Sequence, residues 1–85
     1  MSTYVVQIDP KPLKFLKTLK KSDRVRIDAV FQLLAENPIP PKALKLTDRD
    51  GYRIRVGDFR IIYTFRREVL VVRVLTIAQR GSIYE

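Results

Sequence analysis

Three arginines, Arg53, Arg55 and Arg60, stand within the run Tyr52-Arg53-Ile54-Arg55-Val56-Gly57-Asp58-Phe59-Arg60-Ile61-Ile62-Tyr63. A guanidinium is planar, stays charged, and presents paired N–H donors that match the oxygens of a carboxylate or a phosphate. The chain contains no histidine and no cysteine. The commonest base near neutral pH and the thiolate metal ligands are therefore missing. What these residue types can do is hold an anion and stabilise negative charge as it develops, while moving protons poorly. Asp48 and Asp50 are the one close carboxylate pair, and they read as part of a loop rather than as a metal site. Neither a metal nor a small-molecule cofactor is expected.

The whole chain shares the bias of this segment. Seventeen basic residues against nine acidic ones give a formal charge of +8. Such an excess favours nucleic acid, an anionic membrane surface or an acidic partner protein. No apolar run reaches the roughly 18 residues that a membrane-spanning helix needs. The start, MSTYVVQIDP, lacks the basic-then-apolar pattern of a secretory signal. The cytoplasm is the expected compartment. The length of 85 residues predicts a single domain over 1–85.

The elements that must position the arginines follow from periodicity. Residues 3–8, TYVVQI, are apolar and β-branched and read as a strand. Asp9-Pro10 offers a cap and a helix-compatible proline. Leu13, Leu16 and Leu19, flanked by Phe15, predict an amphipathic helix of about three turns. Its other face carries Lys11, Lys14, Lys17, Lys20 and Lys21, which a solvated helix surface explains. Ser22 or Asp23 can cap a second helix. That helix presents Val25, Ala29, Val30, Leu33 and Leu34 as its apolar stripe, widened by Ile27 and Phe31. Asn37-Pro38 ends it, and Pro38-Ile39-Pro40-Pro41 is a stiff connector. From Gly51 onward, YRIRV, FRIIYTF and VLVVRVLTI read as three strands of a meander. The order predicts an α+β domain, with a helical hairpin on one face of a mostly antiparallel sheet.

Register then decides which way the arginines point. A two-residue turn at Gly57-Asp58, with glycine supplying positive φ, pairs Arg55 with Arg60 and Tyr52 with Tyr63. One face collects Tyr52, Ile54, Val56, Phe59, Ile61, Tyr63 and Phe65 as the core. The other collects Arg53, Arg55, Arg60 and Thr64. A second two-residue turn at Arg67-Glu68 puts Arg73 opposite Ile62 on the arginine face, with Val72 and Val74 in the core. Like charges directly across a strand pair cost up to about 1 kcal/mol, and a bound phosphate removes that repulsion. Solubility and protection of an exposed sheet would also account for basic side chains. The convergence of several on one face favours the anion site.

The segment from Tyr52 to Tyr63 resembles the signature of the RelE/ParE superfamily of toxin–antitoxin toxins. The ending Arg80-Gly81-Ser82-Ile83-Tyr84 resembles that family's closing arginine and tyrosine, and Lys42-Ala43-Leu44-Lys45-Leu46 resembles its lead-in. The likeness is greater to the RelE branch. It implies a toxin that enters the ribosomal A site and cuts mRNA by attack of a 2′-hydroxyl on the adjacent phosphate. It also implies a cognate RelB-like antitoxin as partner. The family's functional positions fall on Arg53, Arg55, Arg60, Arg80 and Tyr84. RelE toxins carry lysines where Arg53 and Arg55 stand, so here those two are better phosphate clamps than bases. Tyr84 is then the candidate base or stacking platform, and Arg80 the group that stabilises the leaving 5′-oxygen. Two alternatives stay open: a ParE-type inhibitor of DNA gyrase on the same fold, and a noncatalytic RNA- or ribosome-binding module.

Overall fold

The computed structural model describes residues 3–79. Strand β1 (Val5–Ile8) leads into helix α1 (Pro10–Lys17) and helix α2 (Lys21–Glu36). A two-residue strand β2 (Leu44–Lys45) follows, then β3 (Tyr52–Val56), β4 (Phe59–Arg66) and β5 (Val71–Gln79). The five strands form one sheet in the order β1-β5-β4-β3-β2. Only β1 runs parallel to its neighbour, β5; the other pairs are antiparallel. The expected α+β architecture is observed, with the short strand β2 added at one edge.

Pro10 opens α1 where a missing N–H is harmless. The helix is shorter than the leucine spacing suggested. It buries Pro12 and Leu16, whereas Leu13 faces solvent. The second helix begins at Lys21 with Lys20 at its N-cap and no side-chain capping bond, so neither Ser22 nor Asp23 caps it. Its buried stripe is Ile27, Phe31 and Leu34, leaving Val25 and Leu33 exposed. The stripe is narrower than the periodic pattern because one sheet face is all that the helix covers.

Leu16, Ile27, Phe31 and Leu34 pack on Ile54, Val56, Phe59, Ile61, Tyr63, Val72, Val74 and Ile77. These sheet residues alternate with the arginines, so burying them turns Arg53, Arg55 and Arg60 to the opposite face. The β3–β4 hairpin has the expected register throughout, from Val56↔Phe59 to Tyr52↔Tyr63. Gly57 has φ +58°, and the Arg26 guanidinium of α2 lies against it.

The β4–β5 connection differs from expectation. The turn spans residues 67–70 rather than two residues, with Leu70 at φ +53°. Arg73 therefore pairs with Thr64 instead of Ile62. A register change of two residues preserves the faces, so Val72 and Val74 remain in the core and Arg73 remains outside. A bulge between Ile62 and Tyr63 leaves Leu75 as the extra residue of β5. Past it, Ile77 rather than Thr76 enters the core.

Gly51 immediately precedes β3 and sets the direction in which the chain enters it. Its φ of +128° lies in a region that L side chains rarely adopt, and a Cβ there would sit 3.0 Å from the Tyr63 carbonyl oxygen. Gly51→Ala is expected to destabilise the fold by about 1–3 kcal/mol. The urea midpoint measures this; an unchanged midpoint would mean that the backbone relaxes freely.

Candidate phosphate-binding cleft

The open sheet face is built by two hairpin strands and an edge. Arg55 lies directly opposite Arg60, and Arg53 lies between Ile62 on β4 and Leu44 on β2. All three arginines are exposed. Among the described residues none of them has a carboxylate partner: the ion pairs there are Arg66–Glu68 and Arg73–Asp9. Among the described residues the face thus carries a juxtaposed pair of like charges without a counter-charge, an unfavourable arrangement that a bound anion would relieve.

The connector after α2 raises a wall beside this face. Tyr63 is fully buried in the core, and its hydroxyl donates to the Pro38 carbonyl oxygen at 2.7 Å. Asn37 Oδ1 accepts from the Ile39 N–H at 3.1 Å, and the Ala43 N–H donates to the Pro40 carbonyl at 2.9 Å. These bonds fix the path of Pro38–Ala43. Beyond it, Leu44 and Lys45 pair with Arg53 and Tyr52. Wall and sheet border an open cleft of about 460 Å3 lined by Pro41, Lys42, Leu44, Arg53, Arg55 and Arg60, together with Ile54. Its size lies within the usual range for small-molecule sites.

Arg73 shares the arginine face but is occupied. Its Nε and Nη2 donate to the two carboxylate oxygens of Asp9, at 2.8 and 3.1 Å. Asp9 is the N-cap of α1, yet it makes no side-chain capping bond because its carboxylate is turned to Arg73. Those hydrogen bonds hold the Asp9 carboxyl below the ordinary carboxylate range. A depressed folded-state pKa contributes stability that is present above pH 3.8 and is lost as pH falls through the folded value. Asp9→Asn is expected to lower stability at neutral pH and to remove that part of the acid-unfolding curve, so that variant and wild type converge at low pH. Acid titration followed by circular dichroism checks it.

Of the five residues singled out from the sequence, the structure gathers Arg53, Arg55 and Arg60 around one cleft. Arg80 and Tyr84 lie outside the described residues. No group of three or more metal-binding side chains occurs among the described residues. No helix there is long and apolar enough to cross a membrane. Pro41, Lys42 and Leu44 line the cleft as well, and composition alone did not single them out. The signal that could have found them is the pairing of Leu44 with Arg53, which needs β2 to be recognised.

The chain is thus a basic α+β domain whose Arg53, Arg55 and Arg60 lack carboxylate partners among the described residues, and its relatives are small toxins. Residues 6–84 match the family model described as the ParE toxin of the type II toxin–antitoxin system, parDE. A protein of Methanocaldococcus jannaschii bearing the toxin name RelE1 is 32% identical, over 94% of this chain and 93% of its own. The crystal structure of an archaeal RelE–RelB complex from Pyrococcus horikoshii matches with a TM-score of 0.79 and 31% identity, over 95% of this chain and 99% of that one. The isolated E. coli RelE toxin shares the fold, with a TM-score of 0.80 at 23% identity, over 94% of this chain and 87% of that one. The chain belongs to the RelE/ParE family of type II toxin–antitoxin toxins, and its RelE-like character rests on the two archaeal relatives.

Proposed function

We propose that this toxin is a metal-independent endoribonuclease that cuts mRNA in the ribosomal A site and so halts translation. The observation that carries the reading is the arginine trio: Arg53, Arg55 and Arg60 share one open cleft and lack carboxylate partners among the described residues. In the reaction the ribose 2′-oxygen bonds to phosphorus, and the phosphorus–5′-oxygen bond breaks. The products are a 2′,3′-cyclic phosphate and a free 5′-hydroxyl. The 2′-hydroxyl gives up a proton and the 5′-oxygen gains one. Between them lies a dianionic phosphorane, which the three guanidiniums stabilise more strongly than the singly charged ground state.

Arginine does not serve as the base, because it stays protonated. On the family resemblance, Tyr84 is assigned the base or stacking role and Arg80 the leaving 5′-oxygen. Cleavage then depends on the ribosome to align the 2′-hydroxyl with the phosphate, since positioning replaces missing proton transfer. The cytoplasm, where ribosomes are, is the compartment of action. The proposed protein partner is a RelB-like antitoxin, as in the Pyrococcus complex. Coexpression of an antitoxin encoded beside the toxin should restore growth; toxicity that no such neighbour relieves would count against this partner.

The test is purified toxin on programmed ribosomes, with primer extension across the mRNA, for wild type and Arg60→Ala. A-site cuts by wild type alone support the reading. Ribosome binding without cuts by the wild type favours a noncatalytic module. The match to a ParE model keeps a gyrase inhibitor as second reading; inhibited supercoiling with uncut mRNA would establish it.

A further inference from the structure

Leu44 is an anomaly on the cationic face. It is 54% exposed, and its cross-strand partner is Arg53, so its side chain stands on the arginine side of the sheet. Around it the cleft is lined by Lys42, Arg53, Arg55 and Arg60, with Pro41 completing the wall. An edge strand guarded only against aggregation would carry charge at this position. Instead two apolar side chains sit among four cations, in a cleft whose wall is held in place by a buried tyrosine hydroxyl. The pattern matches the two ends of a nucleotide: an uncharged ring with apolar faces and a charged phosphate.

We infer that Pro41 and Leu44 form a base-binding subsite, and that Lys42 grips a backbone phosphate beside it. The nucleotide next to the scissile phosphate lays its base on these two side chains while the arginines hold the phosphate itself. This rests on the nuclease reading and adds to it a source of sequence preference. Proline and leucine offer van der Waals surface without hydrogen-bond donors. The subsite therefore discriminates by the size and stacking strength of the base rather than by its edge. Lys42 adds affinity that salt screens and that is blind to sequence.

The experiment is a binding titration of the full chain with a fluorescent trinucleotide that carries 2′-deoxyribose in place of each nucleophilic ribose, so nothing is cut. The same trinucleotide with one abasic position, moved along in turn, is the comparison. At one position the abasic form should bind about five- to tenfold more weakly, the low end of what stacking on an aromatic ring gives. Leu44→Ala should erase that difference and Leu44→Phe should enlarge it, with melting temperatures unchanged because the side chain is exposed. Lys42→Ala should weaken intact and abasic forms equally and reduce the salt slope by about 0.7.

Equal binding of intact and abasic forms by the wild type would overturn the subsite while leaving the phosphate clamp in place. So would a base effect that Leu44→Ala does not change. An acidic peptide that fills the cleft more tightly than the trinucleotide would overturn it in favour of a protein ligand. Failure to bind either oligonucleotide would overturn the subsite too. Ribosomal cleavage by the same preparation shows separately whether the nuclease reading survives.

Discussion

Replacing Arg60 by glutamine is expected, on the proposed nuclease reading, to reduce cleavage of ribosome-bound mRNA by about 10²–10³-fold, the usual cost of losing one preorganised donor to a developing anion. The same substitution is expected to raise the melting temperature of the free toxin. The two effects share one cause. Arg60 faces Arg55 across the β3–β4 pair, and no carboxylate among the described residues neutralises either. Removing one of two like charges relieves up to about 1 kcal/mol of repulsion. In a chain of this size each kcal/mol moves the melting temperature by roughly 4–8 °C. Glutamine is the informative replacement because it keeps most of the apolar stem, whereas alanine strips it. Arg55→Gln should behave in the same way, and the double variant should gain no more stability than either single one, since the repulsion can be removed only once. Thermal melts at low salt, where surface charge is least screened, give the clearest reading. A melting temperature that stays level or falls in both single variants would show that the pair is not strained. Cutting retained within a few-fold of wild type would remove Arg60 from the chemistry.

How far this site is legible in the sequence depends on which turn is involved. Gly57-Asp58 announces a tight hairpin because glycine can take positive φ there, and strict alternation on both sides then places Arg53, Arg55 and Arg60 on one face. The next turn hides its length. Leu70 takes the left-handed conformation without being glycine or asparagine, so nothing in the local composition signals a turn over residues 67–70. The resulting displacement of two residues leaves every face assignment up to Val74 intact, which is why the core residues of β5 are correct there and their partners are not. The bulge at Leu75 then exchanges Thr76 for Ile77 in the core. The helices show the opposite failing. Periodicity overstates their buried stripes because exposed Leu13, Val25 and Leu33 look identical in sequence to buried Leu16, Ile27 and Leu34. The cleft wall is the least legible part. Strand β2 is two residues long, both exposed, and only the path of the proline-rich connector brings them beside Arg53.

That path makes Tyr63→Phe the second substitution with a large expected effect, this time on stability and on the cleft together. Tyr63 is among the largest fully buried side chains, and its hydroxyl satisfies the Pro38 carbonyl of the connector. Phenylalanine keeps the ring and the stacking with Tyr52 but leaves a buried carbonyl without its donor. That loss costs about 1–3 kcal/mol. A domain this small has only about 4–13 kcal/mol in total. Burial first, and the neighbouring Tyr52 second, push the Tyr63 hydroxyl up to about 12 from 10.0. The sign follows from the raised value. The folded chain holds this proton more tightly than the unfolded chain does, so the contribution is complete below pH 10 and is lost as pH rises towards 12. Wild type should therefore show a loss of stability in that window that Tyr63→Phe lacks, and the two unfolding curves should converge at high pH. At neutral pH the variant should melt several degrees lower. Because this hydroxyl ties the start of the wall to the sheet, the proposed cleavage should also slow at temperatures where the variant is still folded, with Arg60 and its neighbours untouched. Equal stability of the two proteins at pH 7 would mean that water replaces the hydroxyl at Pro38. Lower stability with unchanged cleavage would separate the tether from the cleft, and the wall would then be held by the β2–β3 pairing alone.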